Sequence, residues 1–147
     1  MRLTLTKQTE YALRALVWLS QVEETDRVGG LPSRHTAAAI ARAAQIPPMF
    51  AARVLAQLQR QGLLRARAGQ QGGYTLARSA AAVSLLEVIE AVEGPLQTRT
   101  CVLRDSACGA GGTCILHDAW NAAQDALRAV LSRTTLATVL RAGLDPL

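Results

Sequence analysis

The chain has 147 residues and a mass of 15.6 kDa, which is enough for one compact domain that folds without a disulfide scaffold. Apolar residues make up 50% of it, which excludes a mainly disordered chain, and no apolar run is long enough to span a bilayer. The first residues, MRLTLTKQTE, lack the apolar stretch of a secretory signal. We therefore expect a soluble, cytoplasmic protein.

The net charge of +5 is unevenly distributed along the chain. From Arg27 through Leu86 there are eight Arg and no Asp or Glu. A stretch of this length whose charged residues are all positive is typical of proteins that bind a polyanion. Arg suits both phosphates and guanine edges. An Arg-rich genome would explain the choice of Arg over Lys, but it explains the missing acids poorly. The charge pattern therefore favours a nucleic-acid partner.

Three helices are predicted in the first part of the chain. The first runs from Thr6 to about Val22 and is apolar around most of its circumference, as buried helices are. A short second helix covers Thr36 to Ala44. The third opens at Pro48, since Pro is tolerated at the first helical position, and runs to Gln61 before Gly62 stops it. Its expected inward-facing residues are Phe50, Val54, Leu55 and Leu58.

A β-hairpin is predicted after the third helix. Two short runs, Leu63–Arg67 and Tyr74–Leu76, are joined by a Gly-rich turn. Helix, turn, helix and hairpin in this order indicate a mainly α fold with a small β-hairpin wing, a winged helix-turn-helix. A three-helix core with an idle hairpin is the alternative. It leaves unexplained why Arg65 and Arg67 share one face of a strand beside the turn.

Two more helices are expected. One runs from Ser84 to Glu93, with Ser84 and Glu87 in capping-box spacing. The other runs from about Ile115 to Leu131 and carries an a/d seam of two heptads. Packing against its own domain would give a similar pattern, but two-fold operators favour a dimerisation helix. The seam consists of Leu116, Trp120, Ala123, Leu127 and Val130. We divide the chain into a DNA-binding domain (1–95), a cysteine-rich loop (96–114), and a dimerisation helix with a C-terminal tail (115–147).

The cysteines form a cluster between these parts: Cys101, Cys108 and Cys114 fall within fourteen residues, and His117 follows. An odd number argues against a disulfide framework. Zinc accepts three Cys and one His, but its sites usually have closer pairs, whereas iron–sulfur clusters tolerate wider spacing. If Cys114 opens the last helix, His117 lies on the same face as a fourth ligand, with Glu10 as a competitor. A Cys–His nucleophile lacks an oxyanion-hole motif, and three ordinary thiols remain an alternative.

An ordered set of motifs resembles the Rrf-two family of bacterial transcription regulators. The matching segments, which cover essentially the whole chain, are MRLT at 1–4, EYALRAL at 10–16, AIA at 39–41, IP at 46–47, LAQL at 55–58, GLL at 62–64, GGYTLAR at 72–78, LEVIEAVEG at 86–94, CILHDAW at 114–120 and TTLA at 134–137. The resemblance implies a dimeric winged-helix repressor or activator and no enzymatic activity. It also implies a long dimerisation helix and, in the sensing branches, a [2Fe-2S] or [4Fe-4S] cluster held by three Cys. Members sense cluster supply, nitric oxide, iron or redox state.

The chain departs from the family pattern in three places. The first gap between cysteines is six residues, where IscR-like and NsrR-like members usually have five. Ala68 stands where an Arg commonly precedes the wing turn, and Ala52 where IscR places an acidic residue. His117 matches the IscR-like fourth ligand and Glu10 the NsrR-like one, and we favour His117 because it is close to Cys114. A clusterless thiol or zinc sensor, or an electron-transfer protein without DNA binding, would be the alternatives.

The expected DNA contacts lie on the third helix and the wing. Met49, Ala52 and Arg53 would face the bases, with Arg53 the donor to a guanine, and Arg65 and Arg67 would hold phosphates or the minor groove. The remaining expected contacts are Arg2, Lys7, Thr36, Pro48, Gln57, Gln70, Gln71 and Gly72. The partner would be double-stranded DNA with a palindromic operator.

Overall fold

The computed structural model describes residues 4–30, 34–96, 101, 103 and 114–143. The helices in these ranges are α1 (Lys7–Gly29), α2 (Ala37–Ala43), α3 (Pro48–Arg60), α4 (Leu85–Glu93), α5 (His117–Arg133) and α6 (Leu136–Arg141), with a 3-10 turn at Ala80–Ala82. Strands β1 (Leu64–Arg67) and β2 (Gly73–Leu76) form one antiparallel sheet. None of the helices described is long and apolar enough to cross a membrane.

Helix α1 is about two turns longer than predicted. Thr6, the expected start, caps the helix by accepting a hydrogen bond from the Thr9 amide at 3.2 Å. The helix passes the expected end at Val22 and stops only at Gly30, which adopts a left-handed φ of 68°. Residues 23–27 are all polar, so apolar periodicity could not reveal this extension. Glu24 and Arg27 form an ion pair at 2.6 Å that supports it.

Helices α2 and α3 form the predicted helix-turn-helix. The Thr36 side chain caps α2 by accepting from the Ala39 amide at 3.1 Å, and Pro48 opens α3 as expected. The intervening turn contains Gln45 with a positive φ of 53°. One expectation about the inward face was wrong: Phe50 is 45% exposed and lies against the ring of Tyr11, whereas Ala51 takes the buried position.

The predicted hairpin forms, with β1 beginning at Leu64 and β2 at Gly73, each one residue from the expected start. Arg65 faces Thr75 and Arg67 faces Gly73 across the two strands, and both Arg side chains are exposed. The close turn requires glycine, because a Cβ on Gly72 would lie 2.2 Å from the carbonyl oxygen of Arg67. The winged helix-turn-helix prediction is therefore confirmed.

The hydrophobic core draws on more of the chain than residues 1–95. The capping box at Ser84 forms as predicted, and α4 packs on α1 and α3. Sequence reasoning did not predict α6, which returns to this core: Leu136 is fully buried, and its amide donates to the Val83 carbonyl oxygen at 3.0 Å. The largest fully buried apolar side chains are those of Leu16, Leu19, Ile40, Leu55, Leu58, Leu63, Leu136, Val54, Val83 and Val88.

Helix α5 begins at His117, not at Cys114 as the fourth-ligand argument supposed. The His117 amide instead donates to the Cys114 carbonyl oxygen at 3.1 Å, so Cys114 lies in the turn before the helix. The helix packs against α4 and is joined to it by the Arg128–Glu90 ion pair at 3.2 Å. None of its residues is fully buried.

Candidate nucleic-acid interface and cysteine site

The buried residues of helix α3 determine which of its faces is left exposed. Ala51, Val54, Leu55 and Leu58 are buried at their positions along the helix. The three residues expected to face DNA bases, Met49, Ala52 and Arg53, are all exposed, with Met49 at 83%. An exposed helix face with an Arg at its first turns can enter a major groove and reach base edges.

Gln57 does not belong to that surface. Its Nε2 donates to the carbonyl oxygens of Ala91 and Val92 on α4, at 2.9 and 3.1 Å. Its Oε1 accepts from Gln8 Nε2 on α1 at 2.5 Å. The amide is therefore occupied within the domain, where it connects α3 with α1 and α4. A DNA contact by Gln57, which the sequence predicts, would require this amide to leave its present partners.

The wing carries two more of the predicted cations. Arg65 and Arg67 are exposed on β1, and Gln70 and Gln71 are exposed in the turn. Gly72 closes the turn, with its amide donating to the Gly69 carbonyl oxygen at 2.9 Å. Two guanidinium groups two residues apart on a strand can each hold one phosphate of a DNA backbone.

Three further predicted contacts have other surroundings. Thr36 is exposed, but its hydroxyl oxygen is engaged in capping α2. Pro48 is exposed at the first position of α3. Lys7 has a 77% exposed side chain and pairs with Glu10 at 2.6 Å. Arg2 lies outside the described residues.

The contact between α1 and the wing was missed at the level of sequence. Glu23 Oε1 accepts hydrogen bonds from Thr75 Oγ1 and from the Leu76 amide, each at 2.7 Å. These partners are 52 and 53 residues away along the chain, so no local spacing announces them. The only available signal was the presence of acids just before a long acid-free stretch.

The structure describes part of the candidate cysteine site. Cys101 and Cys114 are half-buried, and Cys108 lies outside the described residues. The His117 ring Nε2 is 3.3 Å from Asn121 Nδ2. Within the described ranges, no three His, Cys, Asp or Glu side chains come together as a metal-binding group. Three thiols with an imidazole or a carboxylate remain a donor set that suits an iron–sulfur cluster.

Glu10, the competing fourth ligand, is held by two cations. Its Oε2 pairs with Lys7 Nζ and its Oε1 with Arg14 Nη2, both at 2.6 Å. The hydrogen bond from Lys7 lowers the pKa of Glu10, with partial burial opposing this effect and the charges of Lys7 and Arg14 adding to it. The carboxylate is thus kept ionised, and both of its oxygens are engaged.

Helix α5 carries the predicted seam on its surface. Leu116, Leu127 and Val130 are 39%, 37% and 53% exposed, Ala123 is exposed, and Trp120 is half-buried. Apolar side chains repeated along one exposed helix are the pattern expected of a helix that packs against a second helix.

Comparison with known proteins identifies relatives along nearly the whole length. The Rrf2 family model, described as an iron-dependent transcriptional regulator, matches residues 5–142. The chain is 35% identical over 139 residues to a Mycobacterium tuberculosis protein named as an HTH-type transcriptional regulator, Rv1287, covering 92% of this chain and 80% of that protein. It is 32% identical over 142 residues to the HTH-type transcriptional repressor NsrR of Streptomyces coelicolor, covering 97% of this chain and 91% of NsrR.

Solved structures with lower identity share the fold. CymR, the global cysteine regulator of B. subtilis, superposes with a TM-score of 0.71 at 23% identity, over 94% of this chain and 96% of CymR. IscR of T. potens superposes with a TM-score of 0.71 at 22% identity, over 97% of this chain and 90% of IscR. The family match and the relatives above 30% identity, joined to the winged helix-turn-helix, establish that this chain is a transcription regulator of the Rrf2 (Rrf-two) family and not an enzyme.

Proposed function

We propose that the chain is a cytoplasmic, homodimeric DNA-binding repressor that senses nitric oxide, redox state or iron–sulfur status through a cysteine-ligated iron–sulfur cluster. The observation that carries the DNA-binding part is the exposed face of α3 beside the exposed Arg pair of the wing. In this proposal α3 occupies the major groove and the wing follows the adjacent backbone.

The two surfaces have different roles in the proposal. Arg53 is the base-reading residue, because a guanidinium can donate two hydrogen bonds to a guanine edge. Met49 and Ala52 offer apolar contact with neighbouring bases. Arg65 and Arg67 hold phosphates and so fix the register of the protein on the duplex without reading sequence. Thr36, Pro48, Lys7, Arg2 and the turn residues Gln70, Gln71 and Gly72 complete the backbone contacts.

The homodimer is supported by the exposed seam of α5. Two copies packed along this seam would bury Leu116, Leu127 and Val130, and each copy would present one α3 to the DNA. A two-fold dimer of this kind matches a palindromic operator, in which the half-sites are separated by about one helical turn of DNA.

The sensing part rests on the donor set. Cys101, Cys108 and Cys114 would hold the cluster with His117 as fourth ligand, or with Glu10 in its place. When bound, the cluster supplies a redox-active iron centre. The chain's own contribution is mechanical: residues 94–116 connect α4 with α5, so how tightly the thiols hold this segment can change the spacing of the two α3 helices in a dimer.

Protein purified without oxygen tests the sensing proposal through its visible absorbance and its iron and sulfide content per chain. Brown protein with nearly equal iron and sulfide supports the cluster. Cys108→Ala should then lose the colour and keep the fold, while Ser106→Ala in the same segment keeps both. Full absorbance in Cys108→Ala would defeat the three-cysteine assignment.

Colourless protein after anaerobic reconstitution would overturn the cluster and leave DNA binding standing. Zinc in the metal analysis, or thiols with no metal, would then identify a clusterless sensor. The DNA-binding part is tested separately by selecting duplexes from a random pool. Failure to enrich any sequence at moderate salt would contradict the proposed interface of α3 and the wing.

A further inference from the structure

The last two turns of α1 reach over to the wing. Glu23 and Asp26 are three residues apart and therefore neighbours on the surface of the helix. Glu23 contacts β2, as described above. Asp26 Oδ2 lies 3.1 Å from His35 Nε2, and both side chains are mostly buried, at 13% and 16% exposure.

His35 extends the sheet of the wing by one residue. Its amide donates to the Tyr74 carbonyl oxygen at 3.0 Å, and the Tyr74 amide donates to the His35 carbonyl oxygen at 2.8 Å. The His35 ring also meets the Trp18 ring edge-on at a centroid distance of 5.1 Å. The His35 backbone thus pairs with β2, while its side chain packs against Trp18 and Asp26 of α1.

Beyond His35, Glu23 provides the next hydrogen-bond partner for the backbone of β2. Tyr74 and Leu76 are two residues apart on β2, so their amides point to the same edge of the strand, away from β1. The Tyr74 amide is bonded to His35 and the Leu76 amide to Glu23 Oε1. Sheet edges have backbone groups that need hydrogen-bond partners, and here the Glu23 carboxylate on α1 is the acceptor for one of these groups.

These contacts give the wing a fixed position relative to the recognition helix. Helix α1 packs directly on α3 and on β2. Helix α3 also packs directly on β1, so the anchor on β2 is a second constraint on where Arg65 and Arg67 lie relative to Arg53. The contact is made on the strand that does not carry these cations.

We propose that Glu23 is a positioning residue for DNA binding: its Oε1, with the Asp26–His35 pair beside it, holds the wing where Arg65 and Arg67 reach phosphates while α3 lies in the groove. This inference rests on the proposed function. It makes a prediction opposite in sign to simple electrostatics, because removing a negative charge from a DNA-binding protein should otherwise tighten binding.

The matched comparison is Glu23→Ala against Glu24→Ala. Each removes one carboxylate from α1, but Glu24 is exposed and pairs with Arg27, not with the wing. Glu23→Gln keeps an oxygen that can accept both hydrogen bonds and should behave as the unchanged protein. The probe is a short fluorescent duplex selected from a random pool by the unchanged full-length protein, and its affinity is measured across a series of salt concentrations.

The expected result is a loss of wing contacts in Glu23→Ala alone. The slope of log affinity against log salt should fall by up to about 1.8, which corresponds to two phosphates at about 0.9 each, and binding at moderate salt should weaken about tenfold. Glu24→Ala should bind as well as the unchanged protein or slightly better. Hydrogen exchange of the Leu76 amide should accelerate in Glu23→Ala and stay slow in Glu23→Gln.

The Arg65→Ala/Arg67→Ala double variant distinguishes a failure of the Glu23 positioning role from a failure of the proposed DNA surface. If it lowers the slope and a folded Glu23→Ala does not, the positioning role is overturned and the proposed DNA surface stands. If the double variant leaves the slope unchanged, the wing makes no phosphate contact, and both fall. Should Glu23→Ala not fold, Glu23→Met takes its place, because it keeps a side chain of similar length and removes the carboxylate acceptor of both bonds; an unchanged slope there overturns the positioning role.

Discussion

Glu10 and Arg14, one turn apart on α1, form an ion pair at 2.6 Å in which the Arg14 side chain is only 17% exposed. The other terminal nitrogen of Arg14 reaches the Gln45 carbonyl oxygen at 3.5 Å, in the turn between α2 and α3. A candidate ligand of the cluster is therefore linked by one side chain to the helix-turn-helix. The pairing also bears on which fourth ligand is favoured.

We propose His117 as the fourth ligand, because it lies three residues from Cys114 in the sequence, whereas both Glu10 oxygens pair with cations of α1. We expect His117→Ala to shift the visible absorbance of anaerobically purified protein, and Glu10→Ala to leave the spectrum unchanged. A shifted spectrum in Glu10→Ala with an unchanged one in His117→Ala would reverse the assignment.

Arg53→Ala should cost about 1–3 kcal/mol of binding free energy, and the loss should be confined to one base position of the operator. The check is competition binding with duplexes that differ at single positions. Arg42→Ala on α2, which removes another exposed Arg, serves as the comparison. Equal weakening of Arg53→Ala on all sequences would make Arg53 a phosphate contact.

Elements with a local signal were predictable from sequence. Thr36 and Ser84 cap their helices, Pro48 opens α3, and the turn at Gly72 produces the hairpin, because each acts through residues within a few positions. The exposed face of α3 followed from the spacing of its apolar residues.

Features that depend on distant partners were not predictable. The last turns of α1 look like surface helix or loop until their contacts with β2 and His35 are known. Gln57 has a polar side chain of the kind that contacts DNA, yet its amide donates a hydrogen bond to a backbone carbonyl of α4. Helix α6 is short, with a weak signal of its own, and is held in place by the burial of Leu136.

We expect self-association to depend on the exposed seam of α5. Val130→Glu places a charge on the exposed seam and should convert the proposed dimer into a folded monomer. Ala129→Glu adds the same charge at the neighbouring exposed position, outside the a/d spacing, and should leave the dimer intact. Light scattering after gel filtration gives the mass of each. A dimer in both variants would place the interface elsewhere.

Leu136→Ala tests whether α6 belongs to the hydrophobic core. Leu136 is fully buried, so the truncation should lower the free energy of unfolding by about 2–5 kcal/mol, through lost burial and the cavity left behind. Arg141→Ala, at an exposed position of the same helix, should change it by no more than about 0.5 kcal/mol. Urea unfolding at neutral pH measures both, and equal midpoints would show that α6 is dispensable.

The Glu93 carboxylate lies at the contact between the end of α4 and the start of α1. Its ionisation should make the free energy of unfolding depend on pH. Burial opposes its ionisation, but hydrogen bonds from Thr9 Oγ1 at 2.6 Å and the Thr6 amide at 2.8 Å outweigh it and lower the pKa of Glu93 below its ordinary 4.5.

Because this pKa is lower in the folded than in the unfolded chain, the carboxylate stabilises the fold above pH 4.5, and the contribution is lost as the pH falls through the folded value. Glu93→Gln should therefore unfold at lower urea than the unchanged protein at pH 7, and the gap should close in acid. Glu24→Gln is the comparison: its pKa is also lowered, by the hydrogen bond and charge of Arg27, but its pair is largely exposed, so its midpoint at pH 7 should stay near that of the unchanged protein. A gap of constant size from pH 7 into acid would mean that the Glu93 contact is not ionic.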